Sequence, residues 1–124
     1  MIGATFDSGA LIALERRDIG MVIKLRVLHQ AGVPITIPAN AVVEWWRKGH
    51  GQPSILALGA VEPLNEAVAK AAGEALAKVR GSTAIDATVM ASAAQRGDRV
   101  FTSDPTDMQR LQRHFRAVAD IIAV

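Results

Sequence analysis

Asp7, Glu44, Asp86 and Asp104 are the residues of this chain whose types and placement could do chemistry. Asp7 ends the apolar run Ile2-Gly3-Ala4-Thr5-Phe6, and Asp104 ends Arg99-Val100-Phe101-Thr102-Ser103. Glu44 and Asp86 lie inside apolar helical segments, Ala41-Val42-Val43-Glu44-Trp45-Trp46 and Ala84-Ile85-Asp86-Ala87-Thr88-Val89-Met90. An ionised carboxylate in apolar surroundings is unfavourable unless something pairs with it. No lysine or arginine recurs at positions that would serve all four. A hard divalent cation, which prefers oxygen ligands, would serve them together.

Three of these acids also have ordinary explanations. Asp7 can cap a helix starting at Ser8. Asp86 follows Thr83 at the capping-box spacing, although glutamate is the usual partner. Asp104 precedes Pro105, a good helix start, and Asp107 would then favour the positive end of that helix. Glu44 has no such role. It falls four residues after Asn40, inside its helix, where it can point back toward the strand ends.

The elements that must position these acids alternate. Residues 2–6, 35–37, the neighbourhood of Val61, 100–102 and 118–124 read as strands. Helices are expected over 8–15, from Asp18 to about residue 31, from Asn40 through Trp46 and Arg47, over 54–58, from Asn65 to Arg80, from Thr83 to Gly97, and over 105–112. Met21, Val22, Leu25, Val27 and Leu28 give the second helix a broad apolar face. Lys48 to Pro53 reads as a loop. Alternating β and α elements imply a parallel sheet with helices on both faces. In such sheets a ligand site lies beyond the carboxyl ends of the strands, where strand order reverses. If the first and fourth strands are neighbours there, Asp7 and Asp104 share one crevice.

The chain has 124 residues, half of them hydrophobic, which suits one domain over 1–124 with a real core. It has no cysteine, so disulfides, thiolate metal sites and cysteine nucleophiles are excluded. The start of the chain has no basic region before its apolar run, so no signal peptide is expected. No apolar stretch reaches the ~20 residues needed to span a bilayer, and a cytoplasmic location is expected. Net charge is +2, from 14 basic and 12 acidic side chains. Setting the four acids aside leaves 14 basic against 8, a surface able to attract a polyanion. Charge alone does not separate that from an ordinary soluble surface. His29, His50 and His114 stand apart, without ligand spacing. No dinucleotide fingerprint, P-loop or serine triad is present. Trp45 and Trp46 are adjacent and cannot share one helix face, so one is expected in the core and the other exposed toward a partner.

Four segments together resemble a PIN domain, and more narrowly a VapC-type toxin of a bacterial toxin–antitoxin pair. They are Phe6-Asp7-Ser8-Gly9-Ala10-Leu11-Ile12-Ala13-Leu14, Val42-Val43-Glu44-Trp45-Trp46-Arg47, Ala84-Ile85-Asp86-Ala87 with Ala94-Gln95-Arg96-Gly97-Asp98, and Val100-Phe101-Thr102-Ser103-Asp104-Pro105-Thr106-Asp107-Met108. The resemblance implies a Rossmann-like five-stranded parallel sheet of order 3-2-1-4-5. It places metal-binding acids at Asp7, Glu44, Asp86 and Asp104, a supporting acid at Asp107, and site-lining hydroxyls at Ser8 and Ser103. It implies a Mg²⁺- or Mn²⁺-dependent endoribonuclease that cuts structured RNA such as tRNA or rRNA. It further implies a VapB-type antitoxin and a homodimer. Charge and position suggest Arg47, Lys48, Arg96 and Arg99 as RNA contacts. A PIN nuclease of RNA processing, without an antitoxin, would share this chemistry; the absence of sequence outside the domain favours the toxin. A receiver-like binding module is the alternative of another class, but it would need paired acids after the first strand, where only Asp7 stands.

Overall fold

A computed structural model describes residues 1–47 and 52–124 of the chain. Lys48, one of the expected RNA contacts, lies outside the described residues, as does most of the loop expected from Lys48 to Pro53. The elements run β1 (Ala4–Phe6), α1 (Ser8–Glu15), α2 (Ile19–Gln30), β2 (Ile35–Pro38), α3 (Ala39–Trp46), α4 (Pro53–Leu56), β3 (Ala60–Glu62), α5 (Glu66–Lys78), α6 (Ala84–Arg96), β4 (Arg99–Thr102), α7 (Pro105–Gln112) and β5 (Asp120–Ala123). The five strands form one sheet in the order β3-β2-β1-β4-β5, and every pairing is parallel. The expected fold class and strand order are therefore correct.

Capping chemistry explains most of the boundaries. The Asp18, Asn65 and Thr83 side chains accept the backbone N–H three residues on, at 2.9, 2.8 and 3.1 Å. Each satisfies one of the donors that a helix start leaves free. Gly97 closes α6 in the left-handed conformation at φ 72°, where glycine carries no Cβ penalty. One expectation needs correction. Asn40 does not cap α3; the helix begins at Ala39, with Pro38 as the preceding residue and no side-chain cap. Asn40 is thus inside the first turn. The proline fixes the extended backbone that turns β2 into the helix.

Alternation along the strands divides the core into two layers. Ala4, Phe6 and Phe101 face α1 and join Leu11, Leu14, Met21, Ile37 and Trp45. The Phe6 and Phe101 rings meet edge to face with centroids 5.3 Å apart. On the other side of the sheet, Val100 joins Val89, Met90, Met108 and Leu111 under α5, α6 and α7. Trp45 is fully buried and donates its indole N–H to Glu15 at 3.1 Å, which ties α3 to the end of α1. Trp46 remains about half exposed, as adjacency on a helix requires. Within α2, Met21 is buried, and Val22, Leu25 and Leu28 are partly so. Val27 is turned to solvent, contrary to its assignment to the buried face. It shares an outer stripe with Ile19 and Ile23, at the four-residue spacing of one helix face.

Candidate metal centre

Strand order reverses between β1 and β4, so this is where a site is expected. The Asp7 N–H continues the β1–β4 ladder by donating to the Phe101 carbonyl at 3.1 Å. Asp7 is therefore held at the carboxyl end of the central strand, 5 % exposed. Its carboxylate accepts the Ala10 N–H at 2.9 Å and so caps α1. The capping and site roles proposed for Asp7 are compatible, because a carboxylate has a second oxygen to offer.

Burial pushes the Asp7 carboxyl up to about 7. Hydrogen bonds from the Thr102 hydroxyl and the Ala10 N–H oppose this, while the charges of Asp86 and Asp104 add to it. Asp86 is also raised, first by burial and then by the neighbouring Glu44, Asp104 and Asp107 carboxylates; the Thr83 hydroxyl pulls it the other way. Asp86 thus stands in the field of Glu44, Asp104 and Asp107, and Asp7 in that of Asp86 and Asp104. α6 delivers Asp86 from its first turn, α3 delivers Glu44, and the β4–α7 junction delivers Asp104 and Asp107.

Each acid is held differently. Glu44 accepts a hydrogen bond from the Ser8 hydroxyl, which brings these two expected site residues together and joins α3 to the start of α1. Asp104 precedes α7 without making a side-chain cap, so its carboxylate is not used in the way Asp-Pro suggested. Its N–H donates to the Thr102 hydroxyl at 2.9 Å. Thr102 is therefore the residue that sequence reasoning missed. Its one hydroxyl links Asp7 to the backbone of Asp104, and it is fully buried. The only signal was a hydroxyl residue at the last position of an apolar strand.

Among the described residues, Asp7, Glu44, Asp86 and Asp104 form no ion pair, whereas Asp107 meets Arg110 at 3.6 Å. Also among the described residues, no three acidic or histidine side chains converge closely enough to hold one ion jointly. The acids are gathered at one end of the sheet without a preformed coordination sphere among the described residues. Mutual repulsion keeps carboxylates apart, and a cation is what would draw them together. Their oxygen-only donor set fits a hard divalent ion.

Ser103 packs against the start of α1. Gly9 is what permits it, since a Cβ there would overlap the Ser103 hydroxyl and lie 2.9 Å from the Ser103 nitrogen. Gly9→Ala is expected to push the Ser103–Asp104 junction off α1. The expected result is a loss of about 1–3 kcal/mol in a urea melt, with loss of any activity that needs Asp104.

The three expected RNA contacts among the described residues separate. Arg47 ends α3, one turn after Glu44, and is exposed beside the crevice. Arg99 begins β4, so the strand rise of about 3.3 Å per residue puts it roughly 13 Å before Ser103. Arg96 ends α6, about 15 Å along the helix from Asp86 at 1.5 Å per residue. It is committed to internal partners. It donates to Asp98 at 2.8 Å and to Thr5 and Ser92 at 3.0 Å, and it pairs closely with Glu62. Asp98 is 3 % exposed and also accepts the Thr5 hydroxyl at 2.8 Å. Arg96 and Arg99 therefore belong to the far end of the sheet, where Arg96, itself partly exposed, anchors the buried Asp98.

Comparison with models of known protein families finds no match, and neither does comparison with curated proteins.

Proposed function

We propose that the chain is a metal-dependent endoribonuclease of the PIN type, acting as the toxin of a toxin–antitoxin pair. The observation that carries this reading is the set of acids at the strand-order reversal, where burial and the neighbouring carboxylates raise the proton affinity of Asp7 and Asp86. Asp7, Glu44, Asp86 and Asp104 would hold Mg²⁺ or Mn²⁺, with Asp107 in support. Such an ion supplies Lewis acidity toward a phosphate ester and its attacking water. The protein's own part is positioning. Thr102 fixes the Asp7 carboxylate and the Asp104 backbone together, and Ser8 fixes Glu44. Exposed Arg47 offers a cation to the RNA backbone at the edge of the crevice.

Single-stranded loops of structured RNA, as in tRNA or rRNA, suit an open crevice because their bases are unstacked and their backbone is accessible. A protein partner is supported by the apolar stripe Ile19, Ile23 and Val27 on α2 and by exposed Val43 and Trp46 on α3. An antitoxin helix laid across α1, α2 and α3 would cover that surface. A homodimer is the other assembly the resemblance implies. Among the described residues, no helix is long and apolar enough to cross a membrane.

End-group analysis of RNA incubated with the chain and Mn²⁺ tests the chemistry. Products with 5′-phosphate and 3′-hydroxyl ends are expected. Ends carrying 2′,3′-cyclic phosphate would contradict attack by water on the phosphate.

A further inference from the structure

A cleft of about 430 Å³ opens beside the acid crevice, between α1 and the chain segments that leave β4 and β5. Gly9, Ile12, Ala13, Arg16, Ser103 and Val124 line it. Gly9 and Ser103 are shared with the rim of the crevice, since they flank Asp7–Ser8 and Asp104. The cleft therefore runs along α1 from Gly9 and Ser103, the chain neighbours of Ser8 and Asp104, to Arg16. Asp18 also borders it and brings a carboxylate, one oxygen of which accepts the Met21 N–H.

The turn after α1 carries a second observation. Arg17 adopts φ 57°, the one non-glycine residue with positive φ among the described residues. That conformation disfavours any residue with a Cβ, and glycine would adopt it freely. A strained arginine where glycine would be easier points to a use for its side chain. Neither Arg16 nor Arg17 forms an ion pair among the described residues.

We infer that this cleft binds the RNA segment flanking the reacting phosphate, with Arg16 neutralising its backbone and Arg17, which lines the neighbouring α2 groove, adding to the positive field of the turn. The inference rests on the nuclease reading above. A polyanion entering a crevice of five acids meets repulsion at every phosphate except the one the metal accepts. Cations must then stand at the exits. The α1–α2 turn supplies Arg16 at one exit, with Arg17 behind it in the α2 groove, and Arg47 stands at another. Ile12 and Val124 give the cleft an apolar wall for a sugar or base. A phosphate paired with a guanidinium gains bidentate, charge-assisted hydrogen bonds.

The test measures affinity for a single-stranded RNA oligonucleotide in Mg²⁺, in an Asp7→Asn background that leaves the RNA uncut. Adding Arg16→Ala is expected to weaken binding about tenfold. It should also lower the slope of log K against log salt by about 0.7, the loss of one single-strand phosphate contact. Arg16→Lys should restore the slope, because it keeps the charge. Arg17→Gly should weaken binding while raising Tm, because it removes the charge and the strained Cβ together. Arg116→Ala, at the opposite end of the sheet before β5, is the control and should change neither. Equal affinity and slope for Arg16→Ala and Arg116→Ala would overturn the inference while leaving the nuclease intact. So would loss of affinity for a poly-glutamate peptide with RNA binding unchanged, which would assign the turn to an acidic protein. If the wild-type chain neither binds nor cuts RNA, the nuclease reading itself falls and takes this site with it.

Discussion

Asp7→Asn should make the protein more stable and inactive at once. Burial holds the Asp7 carboxyl at about 7 against an ordinary 3.8, so the native state binds a proton that the unfolded chain releases. For a group raised in the folded state, stability is fully present below the unfolded value and is lost as pH rises through the folded one. The window is therefore roughly pH 4 to 7. At pH 8 without divalent ions, ionised Asp7 should destabilise the fold by about 2–4 kcal/mol, given about 1.4 kcal/mol for each pH unit of displacement. Asparagine has nearly the same shape, is an equally good helix cap and carries no charge to bury. Urea melts in chelator should show the variant more stable by that amount at pH 8 and little different at pH 4. Mn²⁺ should raise the midpoint of the wild type and do much less for the variant, because binding to the native state alone is stabilising. RNA cleavage should fall by at least about a thousandfold, in line with removal of a principal electrostatic group. Equal stability of the two proteins at pH 8 would mean that Asp7 is not held against its charge.

Arg96→Ala should be the most damaging single change at the other end of the sheet, and RNA should not notice it. The guanidinium is the common donor to Asp98, Thr5, Ser92 and Glu62, and Asp98 is 3 % exposed. Removing the arginine leaves the buried Asp98 charge uncompensated, at about 2–4 kcal/mol, toward the low side of a fully buried pair because Arg96 itself is partly exposed. Asp98 has little room to adjust, since a Cβ at Gly3 would stand 2.5 Å from its oxygen. Asp98→Asn in the Arg96→Ala background should recover part of the loss, which a double-mutant cycle would resolve. The salt dependence of RNA binding should stay that of the wild type. A reduced slope with unchanged stability would instead return Arg96 to the RNA surface.

Arg96 also marks where sequence reading ran out. The helix ends were legible because single residues decide them: Asp18, Asn65 and Thr83 offer oxygen to free N–H groups, and Gly97 takes a left-handed bond. Strand order was legible through the resemblance and agrees with the sheet. The acids drew attention because charge in an apolar segment is conspicuous. Their separation was not legible, since it depends on how α3, α6 and the β4–α7 junction pack. The cations were harder still. Arginine is ordinary anywhere on a surface, and nothing local tells Arg16, in the cleft beside α1, from Arg96, bound to Asp98 at the far end. Thr102 was hidden for the same reason: its partners Asp7 and Asp104 come from different segments and meet only across the sheet. Val27 fits the apolar spacing of α2 but faces solvent, because a three-turn helix with apolar residues on most sides does not announce which side is covered.

The most direct measurement is cleavage of a total RNA pool by the purified chain, freed of any bound partner, in Mg²⁺ or Mn²⁺. Asp7→Asn and a chelated sample run beside it. Discrete cuts that vanish in both controls are the expected result. Cuts that persist with Asp7→Asn or in chelator, or no cuts from a folded protein whose stability responds to the metal, would contradict a metal-dependent ribonuclease built on this crevice.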